Sequence, residues 1–324
     1  MQATARAFWV REPGQGEIFE EELAQAQPDE VRVRTLFSAI SRGTESLVFQ
    51  GQVPPSQHQA MRAPFQEGDF PGPVKYGYSS VGRVEQGRED LLGQTVFCLF
   101  PHQDCYVVPE HAVVPVPDLV PPQRAILAAN TETAVNILWD AHVGPGDRVC
   151  VIGGGVVGCL VTWLAARIPG TEVTLIDLEP ERAHLAEKFG ADFALPDGAP
   201  SDQDVVIHTS ASENGLSTAL ECAGNEATIV EASWYGSAQP CAPFGEAFHA
   251  RRLTLRSSQV GQIPPMRAPR WDYRRRLALA LRLLEDARLD ALINGECRFD
   301  QLPETMPQLV KSGGQILCQR IIYP

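Results

Sequence analysis

Three glycines carry the clearest chemical signal in the chain. In RVCVIGGGVVG, Gly153, Gly155 and Gly158 follow a β-branched run that reads as a strand and precede an apolar run that reads as a helix. A G-x-G-x-x-G spacing in that context lets the backbone turn tightly, approach a pyrophosphate and pack helix on strand, while the helix start at Val156 and Val157 faces the diphosphate charge. The spacing alone is a weak signal. It is strengthened by Asp177, nineteen residues after Gly158 at the end of the next predicted strand, where a carboxylate accepts hydrogen bonds from ribose hydroxyls. The same carboxylate repels the additional phosphate of NADP, which favours NAD(H) by roughly a hundredfold. Arg182 is a nearby cation that would meet such a phosphate and keeps NADP(H) open. The plain alternative for Asp177 is a solvated loop residue ahead of Pro180.

The elements that must position this turn alternate in type. Strand patterns over Arg148 to Ile152, Glu172 to Asp177, Asp204 to Thr209, Ala227 to Ala232 and Leu253 to Ser257 are interleaved with helix patterns over Val156 to Arg167, Pro180 to Phe189 and Glu213 to Cys222. Gly190 marks a helix stop. This rhythm predicts an α/β fold with a doubly wound parallel sheet. Val149 to Ile168 is uncharged until Arg167, but its crowded glycines argue for strand, turn and buried helix rather than a membrane span. Before this region, short valine-rich runs separated by Pro and Gly clusters predict a mostly β unit. After it, Trp271 to Arg288 reads as a helix with Leu277, Ala280, Leu281 and Leu284 on one stripe, and the tail ends in a strand-like ILCQRII.

Composition narrows the function classes. The chain has 324 residues, and 27 Lys plus Arg against 40 Asp plus Glu leave a net charge of −13, which speaks against nucleic acid as a partner. Eight cysteines without a C-x-x-C pair read as buried thiols of a reducing compartment. The first residues lack the basic and apolar regions of a secretory signal, so a cytoplasmic setting is expected.

These segments together resemble the medium-chain dehydrogenase/reductase family. FSAISRGTES (Phe37 to Ser46) is similar to the family's G-I-C-G-T-D turn, KYGYSSVGRV (Lys75 to Val84) to its G-H-E-x-x-G-x-V, ANTETAVNIL (Ala129 to Leu138) to the start of its domain-linking helix, and RVCVIGGGVVG with EKFGAD to its nucleotide-binding half. The resemblance implies a GroES-like β domain made from both chain ends (1–120 completed by 289–324), a Rossmann domain between them (121–288), and often a homodimer joined through the Rossmann sheet edges. Among zinc-lacking relatives, the GTE turn, the G-Y in place of G-H and the FPHQ run most resemble the bacteriochlorophyllide-type hydroxyethyl dehydrogenase branch. Where catalytic-zinc members carry Cys, His-Glu and a further Cys or His, this chain has Ser41 or Arg42, Tyr78 with Ser79, and about Ala129. The four-cysteine lobe of a structural zinc is also missing, since only Cys98 and Cys105 lie in that stretch. Zinc needs about three N, S or carboxylate ligands, so no zinc or other metal is expected.

Without zinc, another group must handle the hydroxyl proton. Tyr78 takes the place of a zinc-binding His in the resemblance, and His102 lies in the turn FPHQD with a chemistry suited to proton relay. Glu45 and Lys75 flank the same region. The plain alternatives are that Tyr78 fills a vacated metal pocket, His102 is a surface turn residue, Glu45 caps a helix and Lys75 is solvated. Thr133, by family pattern, and Thr209, Ser210 and Tyr235, by position at strand ends, are expected cofactor contacts; each equally fits an ordinary strand-end or helix residue. The other histidines, including His208, read as structural or solvated. Trp271 with Arg274, Arg275 and Arg276 reads as a solvated face or dimer rim rather than a substrate contact. The expected activity is hydride transfer at an alcohol/carbonyl centre of a small molecule lying between the two domains. A quinone/enone C=C reductase and a non-catalytic dinucleotide-binding protein are the alternatives.

Overall fold

Apolar runs too short for helices and too hydrophobic for a solvated face, such as Arg148–Ile152 and Gln203–His208, become central strands of a sheet covered on both sides. In the computed structural model, which describes residues 3–324, six strands form it: β1 (Arg148–Ile152), β2 (Glu172–Ile176), β3 (Asp192–Ala194), β4 (Gln203–His208), β5 (Ala223–Glu231) and β6 (Thr254–Ser257). All neighbours run parallel, in the order β3-β2-β1-β4-β5-β6. This is a doubly wound Rossmann sheet, and its order reverses between β1 and β4, where such sheets bind dinucleotides.

Helices Val156–Ala165, Ala183–Phe189 and Glu213–Cys222 fill the crossovers. The last matches its predicted span, and Ser212 caps it by accepting from Gly215 N. Gly190 ends the second in the left-handed conformation expected of a helix stop. Sequence patterning missed β3, a three-residue strand with no fully buried position, which is too short to show a period.

The chain divides into two compact units, one running to Ala129 and resuming at Leu277–Pro324, the other Asn130–Arg276. In the first, the strand Glu30–Ile40 pairs with Ser80–Gln86, Cys105–Pro109 and, from the far end of the chain, Cys318–Ile322. Val31, Val33, Val84, Val96, Tyr106 and Val108 share one core there. Both chain ends thus build one β unit, the GroES-like partner of the Rossmann sheet. The helix predicted from Trp271 to Arg288 is shorter, Tyr273–Leu283. Asp286 then caps a separate short turn, Ala287–Leu292, by accepting from Arg288 N; the apolar stripe Leu277, Ala280, Leu281 and Leu284 is buried as expected.

Candidate functional site

The glycine turn is held by contacts that exclude side chains. Gly153 has φ +105°, and a Cβ on Gly158 would stand 1.8 Å from Gly153 O, so neither position accepts another residue without moving the loop. Gly155 is the N-cap of the helix that begins at Val156, and the first-turn N–H groups of that helix, at Val156 and Val157, have no intrahelical acceptor, which suits a diphosphate. Asp177 follows β2 directly. Its Oδ2 accepts from Gly154 N at 2.5 Å and its Oδ1 from Glu179 N at 2.9 Å, which fixes the carboxylate beside the turn and leaves lone pairs for ribose hydroxyls. Arg182 is buried and packs its Cβ and Cγ near Gly154.

Of the strand-end candidates, Thr209 serves the turn itself. Its hydroxyl donates to the carbonyls of Ile152 at 3.0 Å and Gly153 at 2.9 Å. Ser210 is exposed, and its Cα would lie 2.9 Å from a Cβ on Gly153. It hydrogen-bonds to His208, which pairs with Glu231, which in turn accepts from Tyr235 Oη. His208 and Glu231 were not read as functional, because a lone His on an apolar strand carries no local signal of its partner. Thr133 lies in the helix Ala128–Ala141, partly buried.

The first unit gathers a second cluster. Gly77, at φ +138°, lets His102 come within 3.2 Å of where its Cβ would be, which brings His102 against the backbone next to Tyr78. His102 Nε2 is 2.8 Å from Glu45 Oε2, and its Nδ1 is 2.9 Å from Ser38 Oγ, which also meets Tyr323 Oη at 3.0 Å. His102 is 1% exposed and Glu45 4%. The reading of His102 as a surface turn residue is therefore wrong: the turn folds inward onto the helix Arg42–Phe49. Glu45 does brace that helix, accepting from Ser41 N at 2.7 Å, but its other oxygen belongs to His102. Tyr78 stays partly exposed; burial and the Glu45 charge push its phenol up to about 12, while hydrogen bonds with Ser41 and Thr44 pull the other way.

Lys75 is not solvated. It is buried and bonds Glu21 Oε2 and Gln103 Oε1, each at 2.8 Å, so it stands outside the His102 cluster. Nor is Arg276 on a solvated face. It is 2% exposed and donates to Glu132 Oε1 at 3.0 Å. Arg275 lies 4.1 Å over the Trp271 ring, which packs on Trp139. Six of the eight cysteines are buried, Cys241 is exposed and Cys297 intermediate.

No protein-family profile matches the chain. It is 25% identical over 316 residues to D-guloside 3-dehydrogenase of Escherichia coli (strain K12), covering 87% of this chain and 89% of that one. The fold is shared with L-idonate 5-dehydrogenase of Escherichia coli (TM-score 0.81, 17% identity, 99% of both chains). It is likewise shared with 2R,3R-butanediol dehydrogenase of Bacillus subtilis (TM-score 0.77, 17% identity, 98% of this chain and 99% of that one). These likenesses support a place in the medium-chain dehydrogenase/reductase superfamily. The relatives are named dehydrogenases and reductases, which supports an NAD(P)-dependent oxidoreductase.

Zinc is the metal this superfamily brings into question. Catalytic zinc takes about three protein ligands, yet among the described residues no three His, Cys, Asp or Glu side chains converge. In the resemblance drawn from the sequence, Ser41 or Arg42, Tyr78 with Ser79, and about Ala129 take the places of the zinc ligands. His102 and Glu45 are bonded to each other, and Cys98 and Cys105 are buried in paired strands. The residues present do not fit a catalytic zinc. Among the described residues no helix is long and apolar enough to cross a membrane.

Proposed function

We propose that this chain is a zinc-independent, NAD(H)-preferring dehydrogenase/reductase acting at an alcohol/carbonyl centre of a polyhydroxylated small molecule. The observation that carries the reading is Asp177, pinned beside the glycine turn by two backbone N–H groups and aimed where a ribose diol is welcome and a phosphate is not. The substrate class rests on D-guloside 3-dehydrogenase, whose name places its chemistry at a sugar hydroxyl. Zinc independence rests on the missing ligand set.

The bound nicotinamide supplies the hydride chemistry. Proton handling then falls to the chain, and Tyr78 is the group we assign to it. With its phenol pushed up to about 12, Tyr78 remains protonated at neutral pH and has the proton that reduction of a carbonyl requires. Both ring nitrogens of buried His102 are already bonded, so His102 acts through position: it holds Glu45, whose charge helps to raise the Tyr78 phenol.

The test is titration of metal-stripped protein with NADH and NADPH, read by energy transfer from tryptophan to the reduced nicotinamide. NADH should bind about tenfold tighter or better, and Asp177→Ala should close that gap. Tyr78→Phe should lower kcat for sugar-alcohol turnover by roughly 10²-fold or more with NADH affinity unchanged. Tighter NADPH binding would overturn the role of Asp177, and an unchanged kcat that of Tyr78.

A further inference from the structure

Three strand ends meet at the switch point of the Rossmann sheet. Strand register sets Ile152 beside His208 and His208 beside Glu231. His208 is fully buried, yet both ring nitrogens are used: Nδ1 is 2.7 Å from Glu231 Oε2 and Nε2 is 2.6 Å from Ser210 Oγ. Donor accounting gives this chain of bonds a direction. An ionised carboxylate only accepts, and Glu231 already receives Ser233 N at 2.8 Å and Tyr235 Oη at 3.1 Å. Burial pushes the Glu231 carboxyl up, but its bonds from His208 and Ser233 more than offset this and hold it below the usual carboxylate range. In the tautomer with a single ring proton, that proton sits on Nδ1, toward Glu231, and Nε2 is left as an acceptor. Ser210 must give its one O–H to that nitrogen.

Ser212 supports the same direction. Its Oγ accepts Gly215 N at 3.0 Å and lies 2.8 Å from Ser210 Oγ, so its own proton is available to Ser210. Exposed Ser210 thus faces outward with a lone pair and no proton. Gly215 keeps the path clear, since a Cβ there would stand 2.3 Å from Ser210 Oγ and 2.7 Å from His208 Nε2.

In a doubly wound sheet each half of the dinucleotide lies over one half of the strands. Asp177 marks the adenosine side at β2, which leaves the β4 and β5 ends, with Ser210 and Tyr235, to the nicotinamide side. We propose that His208 and Glu231 are positioning residues that hold Ser210 as an obligate hydrogen-bond acceptor on the nicotinamide side of the dinucleotide site. Ser210 then selects a ligand donor, a ribose hydroxyl or carboxamide N–H, and rejects a phosphate oxygen, which has no proton to give. This rests on the dinucleotide reading above.

Binding of NADH and of ADP-ribose, which lacks the nicotinamide, separates the two ideas. Ser210→Ala, at an exposed position, should weaken NADH by about three- to tenfold and leave ADP-ribose unchanged. His208→Leu should give the same selective loss, and His208→Gln, whose amide can accept from Ser210 while donating to Glu231, should restore NADH binding. If Ser210→Ala binds both ligands as the unaltered chain does, or loses both equally, the inference is overturned, while ADP-ribose binding that Asp177→Ala weakens keeps the dinucleotide reading intact. If the unaltered chain binds neither ligand, both readings fall together. Should His208→Leu not fold, Ser210→Ala and His208→Gln decide.

Discussion

At the scale of single residues, Gly158 has the least freedom. Its missing side chain lets the helix Val156–Ala165 close on the turn, and a Cβ would also meet Thr209 Oγ1 at 2.7 Å, breaking the bonds by which Thr209 holds the loop. Gly158→Ala is expected to cost about 1–3 kcal/mol of stability and to abolish NADH binding, because the backbone N–H groups proposed to meet the diphosphate would be displaced with the turn. Denaturant titration and fluorescence binding check the two effects separately. If the variant binds NADH as well as the unaltered chain, the turn is not the diphosphate site.

Elements set what those residues can do. The helix Ala128–Ala141 was legible as an element, but its polar positions were not legible as a buried network. Glu132 and Asn136 both face Arg276, and burial pushes the Glu132 carboxyl above its usual range despite the guanidinium beside it. Removing one partner of a buried pair costs about 3–5 kcal/mol, so Arg276→Leu should destabilise the chain by that order. The sign with pH follows from linkage. Without Arg276 the folded state favours protonated Glu132, so the penalty is small below the ordinary carboxylate pKa of about 4.3 and grows as pH rises through the raised value. Urea denaturation across this range checks it, and Arg276→Leu combined with Glu132→Leu should recover most of the loss. A pH-independent penalty would mean that Glu132 is not the buried charge that matters.

For the whole molecule, the proposed dinucleotide site and the lack of a zinc ligand set among the described residues make a joint prediction. A ligand at 100 times its Kd stabilises the folded state by about 2.7 kcal/mol, so saturating NADH should raise Tm by several degrees, and equimolar NADPH should raise it less. Chelation with EDTA should leave both Tm and turnover unchanged. Activity that falls on chelation and returns with Zn²⁺ would show that a metal is part of this enzyme after all.

What the sequence determined by itself is what depends on neighbours along the chain. The βαβ rhythm, the glycine turn, the stop at Gly190 and the carboxylate of Asp177 are encoded within about thirty residues, the span of one such unit, because turn sterics and helix-end charge act locally. The expectation of no zinc is drawn in the same local way, from residue types at motif positions. Tertiary structure alone decided which polar groups become partners. His102 reaches Glu45 across 57 residues and Ser38 across 64, and Ser38 meets Tyr323 across 285. His208 finds Glu231 only because β4 and β5 lie side by side in register. A side chain's protonation and hydrogen-bond direction depend on what faces it in space, and that is settled by strand pairing and burial rather than by spacing in the sequence.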